Sequence, residues 1–228
     1  EKYTVSKNLE LKNIYFKYED NKSNILENLS LNINFNSSIG IFGKSGSGKT
    51  TLLDIISGLV VPKQGNLIID NEIIENTFLR RKLQNNISYI SQKTTVINDT
   101  LMKNVCFGID EKDINLTRYK DVIEICELNS IEKNFDQNLK KVIDNGKNIS
   151  GGQLQRIGIA RALYHNKQIL IFDEATNALD EQLEKNIVKK LNEIKDNKIM
   201  IFVSHNIDLL RNFDHVYEVK DGKIFQTK

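Results

Sequence analysis

Long apolar runs are missing from this chain. No stretch approaches the ~20 consecutive apolar residues that a helix needs to cross a bilayer, and no leader of the secretory kind opens it. Cysteine is scarce as well. Cys106 and Cys126 lack metal-ligand spacing, and small apolar residues in a reducing compartment is a better reading of them than a disulfide. Surplus charge is also absent: 32 Lys+Arg against 30 Asp+Glu leave a formal charge of +2, too weak a field to gather nucleic acid, so no nucleic-acid partner is expected. There is no internal repeat, low-complexity tail or sustained heptad. These absences leave a soluble, cytosolic chain of 228 residues as the expectation, long enough to bury a core and read as one domain of two lobes. It opens on Glu1 rather than Met, which reads as a segment of a longer chain or a processed product.

The stretch that organises the rest is Gly43-Lys44-Ser45-Gly46-Ser47-Gly48-Lys49-Thr50, which fits G-x-x-x-x-G-K-[ST] at every specified position. Ile39, Ile41 and Phe42 before it read as a strand, and Leu52, Ile55, Ile56 and Leu59 after it recur at helical spacing. Glycines let the backbone curl so that amide N–H groups converge on an anion, and the helix start adds roughly half a positive charge. Lys49 supplies a mobile charge for the outer phosphates and the Thr50 hydroxyl a ligand for Mg²⁺. The ligand class is a nucleoside triphosphate with magnesium. A bare turn ended by Gly58 needs neither the lysine nor the hydroxyl. The loop alone still leaves a kinase, a GTPase, a helicase and a transporter motor open.

Around this unit, Leu9 and Leu11, then Ile14, Phe16 and Tyr18, alternate as strands do, with Asn13 breaking the register as a bulge or short turn would. Leu29, Leu31, Ile33 and Phe35 alternate again, and residues 67–69 with a turn at Asp70-Asn71 complete a small antiparallel sheet. Pro62 and Gly65 mark the connection between. Tyr18 is an ordinary strand aromatic or a face for an adenine ring. Residues 87–90 read as a core strand, with Gln92 just past its C-terminal end, where ligand-facing groups of parallel sheets project. From about residue 100 to 128 the periodicity turns helical, with Val122, Ile125 and Cys126 on one stripe, and it runs on through Phe135 and Leu139 to a loop at residues 145–148.

A second anion site is legible at Ile149-Ser150-Gly151-Gly152-Gln153. Ser150 with Gln153 is a capping box, yet two glycines in a first turn lower helix propensity by up to ~1 kcal/mol each, which makes sense if something must approach the backbone. Residues 168–172 form an apolar strand ending in Asp173-Glu174, and paired carboxylates at the tip of a buried strand are poor packing. Asp173 reads as the Mg²⁺ ligand and Glu174 as the group that polarises an attacking water. A helix N-terminal charge preference is the alternative account, since a helix bearing Leu183, Ile187 and Leu191 follows, but position on the strand favours catalysis. Another buried strand, residues 199–203, ends at Ser204-His205, where His205 could donate to a γ-phosphate; His165 and His215 read as structural. An Asp221-Gly222 turn closes a terminal hairpin.

As a set, these residues resemble one family, the ATP-binding-cassette (ABC) ATPases, over essentially the whole chain. Residues 43–50 match the Walker A motif, residues 169–173 the Walker B motif with Glu174 as catalytic carboxylate, and residues 149–153 the LSGGQ signature with Ile149 in place of Leu. Gln92 resembles the Q-loop glutamine, Ala178-Leu179-Asp180 the D-loop, His205 the switch histidine and Tyr18 the A-loop aromatic. The resemblance implies an α/β fold: a P-loop NTPase (RecA-like) core, at about residues 1–92 and 158–228, with an antiparallel β subdomain and an inserted α-helical signature subdomain at about residues 93–157. It implies nucleotide contacts from Tyr18 and from Gly43, Lys44, Ser45, Gly46, Ser47, Gly48, Lys49, Thr50 and Thr51, and metal ligation by Thr50, Gln92 and Asp173. Catalysis would fall to Glu174, His205 and Gln92. Ser150, Gly151, Gly152 and Gln153 would close on the ATP of a second such domain, with Asp180 beside them.

Within that family Asn98-Asp99-Thr100-Leu101-Met102-Lys103-Asn104-Val105 resembles an exporter segment. Val142-Ile143-Asp144-Asn145-Gly146 resembles the stretch that touches coupling helices, with Ile143, Asp144 and Asn145 where Gly-Glu-Arg is usual. The expectation is an ATP- and Mg²⁺-dependent motor that pairs head to tail with a second nucleotide-binding domain. It would sit on the cytosolic face of a membrane, the inner membrane if bacterial, through a transmembrane domain absent from this sequence. A non-transport ABC ATPase, a nucleotide-dependent assembly module and a free-standing importer subunit are the competing readings.

Overall fold

The computed structural model describes residues 4–19, 23–136 and 147–228. In chain order the elements are β1 (Asn8–Phe16), β2 (Leu26–Asn34), β3 (Ser37–Phe42), α1 (Lys49–Ile56), β4 (Gln64–Ile69), β5 (Glu72–Ile73), α2 (Thr77–Gln84), β6 (Ile87–Ile90), α3 (Leu101–Val105), α4 (Leu116–Ile125), α5 (Asn129–Asp136), α6 (Gly151–His165), β7 (Ile169–Asp173), α7 (Glu181–Glu193), β8 (Ile199–Val203), α8 (Ile207–Leu210), β9 (His215–Lys220) and β10 (Lys223–Gln226). The expected segment at residues 142–146 and the expected Leu139 lie outside the described residues.

Contacts divide the chain into two units, one of Glu1–Ile87, Lys167–Asp173 and Lys195–Lys228, the other of Ser88–Asn166 and Glu174–Ile194. This division groups residues 88–92, 158–166 and 174–194 with the helices, where the sequence suggests about 1–92 and 158–228 for the nucleotide core.

In the first unit, alternation decides one sheet and continuous burial the other. Leu9, Leu11, Ile14 and Phe16 of β1 stand opposite Ile33, Leu31, Leu29 and Leu26 of β2, so apolar side chains meet on one face of an antiparallel sheet ordered β2-β1-β4-β5. The expected break at Asn13 is a bulge: its φ is +51°, the register shifts between Leu11 and Ile14, and its N–H donates to Ser30 Oγ at 2.9 Å. Asp70-Asn71, both with positive φ, turn β4 into β5, and Asp221-Gly222 turn β9 into β10. The second sheet runs β10-β9-β3-β8-β7, parallel across its last four strands. β8 is buried throughout and β7 at four of its five residues, the pattern of parallel strands covered on both faces.

The second unit is helical. α3 and α4 pack on α6, burying Leu101, Val105, Tyr119, Val122, Ile157 and Ala160 among others. Its helix starts carry side-chain caps: Thr100, Asn115, Ser150 and Asp180 each accept an N–H from the first turn of their own helix. Asn104, fully buried in the exporter-like run, explains that run locally. Its Oδ1 accepts from Ile97 N (2.9 Å) and its Nδ2 donates to the carbonyls of Ile97, Asp99 and Thr100, tying the turn before α3 to the helix.

Candidate nucleotide site

Three parallel strands of the first unit end level with one another. Ile41 of β3 lies beside Val203 of β8, and Val203 beside Asp173 of β7, so the segments after all three leave from one edge. That edge, outside the carboxyl ends of the strands, is where open α/β sheets take ligands.

The loop after β3 uses glycine in two ways. At Gly43 a Cβ would stand 2.3 Å from the Val219 carbonyl oxygen and 2.9 Å from Ser47 Oγ. At Gly46 φ is +77° and no atom of the described residues lies within 4 Å of where a Cβ would be. Gly48 is the N-cap of α1 and brings no side-chain bond, so the first amides of that helix are left for an anion. Lys49 is buried, its Nζ folded back to donate to the carbonyls of Gly43 (2.9 Å) and Lys44 (3.1 Å). An ammonium carries three donors, and both of these partners are neutral, so a phosphate oxygen would suit the third. Ser47 Oγ is buried with no hydrogen-bond partner among the described residues, a polar atom in the loop that a bound anion and its hydration would satisfy. A cavity of about 480 Å³ bordered by Asn24, Ile25, Lys44, Gly46, Ser47 and Lys220 opens beside the loop. Ser45 and Thr50 are exposed and Thr51 is buried.

Asp54, a turn beyond Thr50 on α1, has its carboxyl pushed up by burial and by the negative charge of Asp173. A carboxyl raised by a neighbouring carboxylate marks a negative spot that a divalent cation would relieve. The hydroxyl of Thr50 and the carboxylate of Asp173 are hard oxygen donors of the kind Mg²⁺ takes together with phosphate oxygens, so the donor set fits that ion. His205, exposed, follows a turn held by Ser204, whose N–H donates to the Ile41 carbonyl at 3.2 Å and whose Oγ accepts from Asn206 N at 3.0 Å. Tyr18, 42% exposed, lies beyond β1 with its ring edge-on to Phe16 at 4.9 Å.

The second unit holds the other expected residues. Glu174 has a left-handed backbone, φ +51°, and its Oε2 accepts from Asn177 Nδ2 at 3.0 Å. Strain of this kind gathers at functional sites. Thr176 Oγ1 donates to Glu184 Oε1 at 2.6 Å, and Asp180 accepts from Leu183 N at 3.0 Å as the cap of α7. α6 begins with a complete capping box, Ser150 Oγ accepting from Gln153 N (3.3 Å) and Gln153 Oε1 from Ser150 N (2.9 Å). The two glycines differ. A Cβ on Gly152 would lie 2.9 Å from the Ala178 carbonyl oxygen, so the close approach expected there comes from this chain's own backbone; Gly151 is exposed, its nearest neighbour Ala178 Cβ at an ordinary 3.7 Å. Gln92 is exposed, and its carbonyl accepts from Gln155 Nε2 at 3.4 Å. Gln155 and Asp54 are the participants the sequence reading passed over; a polar residue inside a helix is a signal only once its burial is known.

The first unit thus brings residues 43–51, Asp173 and His205 to one sheet edge, and the second carries Gln92, Ser150, Gly151, Gly152, Gln153, Glu174 and Asp180. A strand, a glycine cradle, a lysine-bearing helix start and a carboxylate closing a neighbouring buried strand define a phosphate-loop nucleoside triphosphatase. The family model described as ABC transporter matches residues 26–177, and the chain belongs to that family. It is 32% identical over 211 residues to an ATP-dependent lipid A-core flippase of Cupriavidus pinatubonensis, covering 92% of this chain and 36% of that protein. It is 33% identical over 217 residues to a protein of the same name from Haemophilus influenzae (strain 86-028NP), covering 95% and 37%. Among solved structures it resembles a bacterial Atm1-family ABC exporter with ATP bound, with a TM-score of 0.87 and 25% identity over 98% of this chain and 39% of the other. The chain spans little more than a third of the length of these proteins. Its fold is that of an ABC ATPase, with a phosphate-loop core, an antiparallel β subdomain and a helical part that bears the signature.

Proposed function

We propose that this chain is the motor domain of an exporter-type ABC transporter, hydrolysing ATP at the cytosolic face of a membrane to drive export or flipping of a substrate. The observation that carries the reading is the presence of two anion-receptive helix starts in one chain: α1 behind the glycine loop, and α6 behind exposed Ser150 and Gly151. Similarity over 92% of the chain to a flippase supports the exporter branch.

The loop amides and the start of α1 hold the phosphates, Lys49 sets its charge on the outer ones, and the exposed ring of Tyr18 stacks on the base. Mg²⁺, held by Thr50, Asp173 and Gln92, would neutralise charge that builds on the transferred phosphoryl group. Glu174 orients the attacking water and accepts its proton, and His205 donates to the γ-phosphate. Ser150 and Gly151 of a second domain, with Gly152 and Gln153 shaping the turn, close over the γ-phosphate head to tail. Its loss on hydrolysis removes the shared anion and lets the pair part, which is the differential binding any switch requires. Gln92 passes the change to a transmembrane domain.

Glu174→Gln tests this. The variant is expected to bind ATP as the parent does, to lose hydrolysis by at least about 10²-fold, and to accumulate as an ATP-bound dimer in size-exclusion chromatography. Parent-rate hydrolysis by the variant removes Glu174 from its role, and a trapped complex that stays monomeric removes the shared site.

A further inference from the structure

One buried amide joins two of the segments that carry the second unit's share of the site. Gln155 lies on α6 and is 4% exposed. Its Oε1 accepts from Ala178 N at 2.8 Å and its Nε2 donates to the Gln92 carbonyl at 3.4 Å. Neighbouring positions of α6 receive the same two segments and α3. Toward the N-terminus, Gly152 admits the Ala178 carbonyl, 2.9 Å from where its Cβ would be. Toward the C-terminus, Gly158 admits Thr94, whose Oγ1 would lie 2.4 Å from a Cβ, and Arg161 donates to the carbonyls of Thr95 (3.0 Å) and Asn104 (2.8 Å). Successive residues three apart are neighbours, so positions 152, 155, 158 and 161 form one inclined row winding along α6. Only a side-chain amide both accepts and donates at this reach; a carboxylate cannot donate and a hydrocarbon does neither. Because one amide serves backbone groups of two loops, neither loop shifts against α6 without breaking a part-buried bond or dragging the other.

We infer that Gln155 is a positioning residue that locks residues 92–95 to the turn at residues 176–180, so that the segment bearing Gln92 and the turn bearing Asp180 move as one. Its effect on turnover rests on the ATPase reading above; the linkage itself is a property of the nucleotide-free chain.

Amide hydrogen exchange on the 228-residue chain without nucleotide reads the linkage directly. Gln155→Met keeps the volume and removes both bonds, and is expected to speed exchange at the Ala178 amide on the order of tenfold and to loosen residues 92–95. Gln155→Glu keeps the acceptor and gives up the donor, so it is expected to loosen residues 92–95 while Ala178 stays protected. Exchange in β3 and β8 holds at the parent rate in both variants, which separates this from general unfolding. With ATP, both are expected to keep the parent KM and lose kcat, on the order of tenfold for Gln155→Met. The loss in Gln155→Glu shrinks below about twofold once Gln92→Ala is present, because the group it positions is gone. Unchanged Ala178 exchange in Gln155→Met, or an equal kcat loss from Gln155→Glu with and without Gln92→Ala, overturns the inference. A parent chain that does not hydrolyse ATP, with the exchange pattern as expected, overturns the ATPase reading and leaves the linkage standing.

Discussion

Gly46 and Gly43 sit three residues apart in the same loop, and the structure assigns their substitution by alanine opposite outcomes. At Gly46 a methyl meets no atom of the described residues within 4 Å, so the fold bears only the left-handed backbone, φ +77°, at about 1–2 kcal/mol. For a chain of this size each kcal/mol moves the thermal midpoint by about 2–4 °C, so Gly46→Ala is expected to melt about 2–8 °C below the parent. The space it fills is the one the loop turns toward a phosphate, so ATP affinity is expected to fall at least about tenfold, or about 1.4 kcal/mol. At Gly43 the methyl would stand 2.3 Å from the Val219 carbonyl oxygen, a backbone atom of β9, which is paired to β3. Relief there requires the two strands to separate, and Gly43→Ala is expected to cost at least about 3 kcal/mol before any ligand is added. Differential scanning fluorimetry with and without Mg·ATP, together with equilibrium ATP titration, distinguishes the two. Parent-like ATP affinity in Gly46→Ala refutes the assignment of that space to the phosphates, and a parent-like midpoint in Gly43→Ala refutes the packing.

Two further predictions concern the frame around the site. Burial pushes the Cys126 thiol up from 9.0 to about 12, so as pH rises above 9.0 the unfolded chain ionises this thiol and the folded chain does not. The parent should therefore lose stability relative to Cys126→Ala by up to about 1.4 kcal/mol per pH unit on the alkaline side; equal slopes in urea unfolding between pH 8 and about 10.5 refute it. At Asp70 burial pushes the carboxyl up, but bonds from Lys7 N, Ser6 Oγ, Ser6 N and Asn8 N outweigh it and hold it below 3.8. A depressed carboxylate stabilises above its unfolded value and loses that contribution as pH falls through the folded one. The parent's advantage over Asp70→Asn is thus expected to be full at pH 7 and to shrink below about pH 4, and an advantage independent of pH contradicts the account.

Much of this was legible before the structure, where one local rule decides an element. The glycine loop between a strand and a helix, the bulge at Asn13, the turns at Asp70-Asn71 and Asp221-Gly222, and the capping box at Ser150 and Gln153 each rest on residues close together in sequence. What was not legible depends on neighbours far along the chain. α2 buries only Leu83 among its eight residues, so no apolar stripe announces it, although Asn76 caps it. The bareness of Gly152 reads from sequence as room for a ligand, and the Ala178 carbonyl fills that room from 26 positions away. Asp54 resembles any exposed helix carboxylate until Asp173 is found beside it.

The level ending of β3, β8 and β7 bears on how such a machine could sense a single phosphoryl group. The glycine cradle and, more than a hundred residues further along, the segments that carry Asp173 and His205 leave from one rim. On the function proposed, each of these segments would lose a counterpart when the terminal group departs, and no signal would have to cross the sheet. Stiff strands would then serve sensitivity, holding the rim fixed while the connecting segments respond.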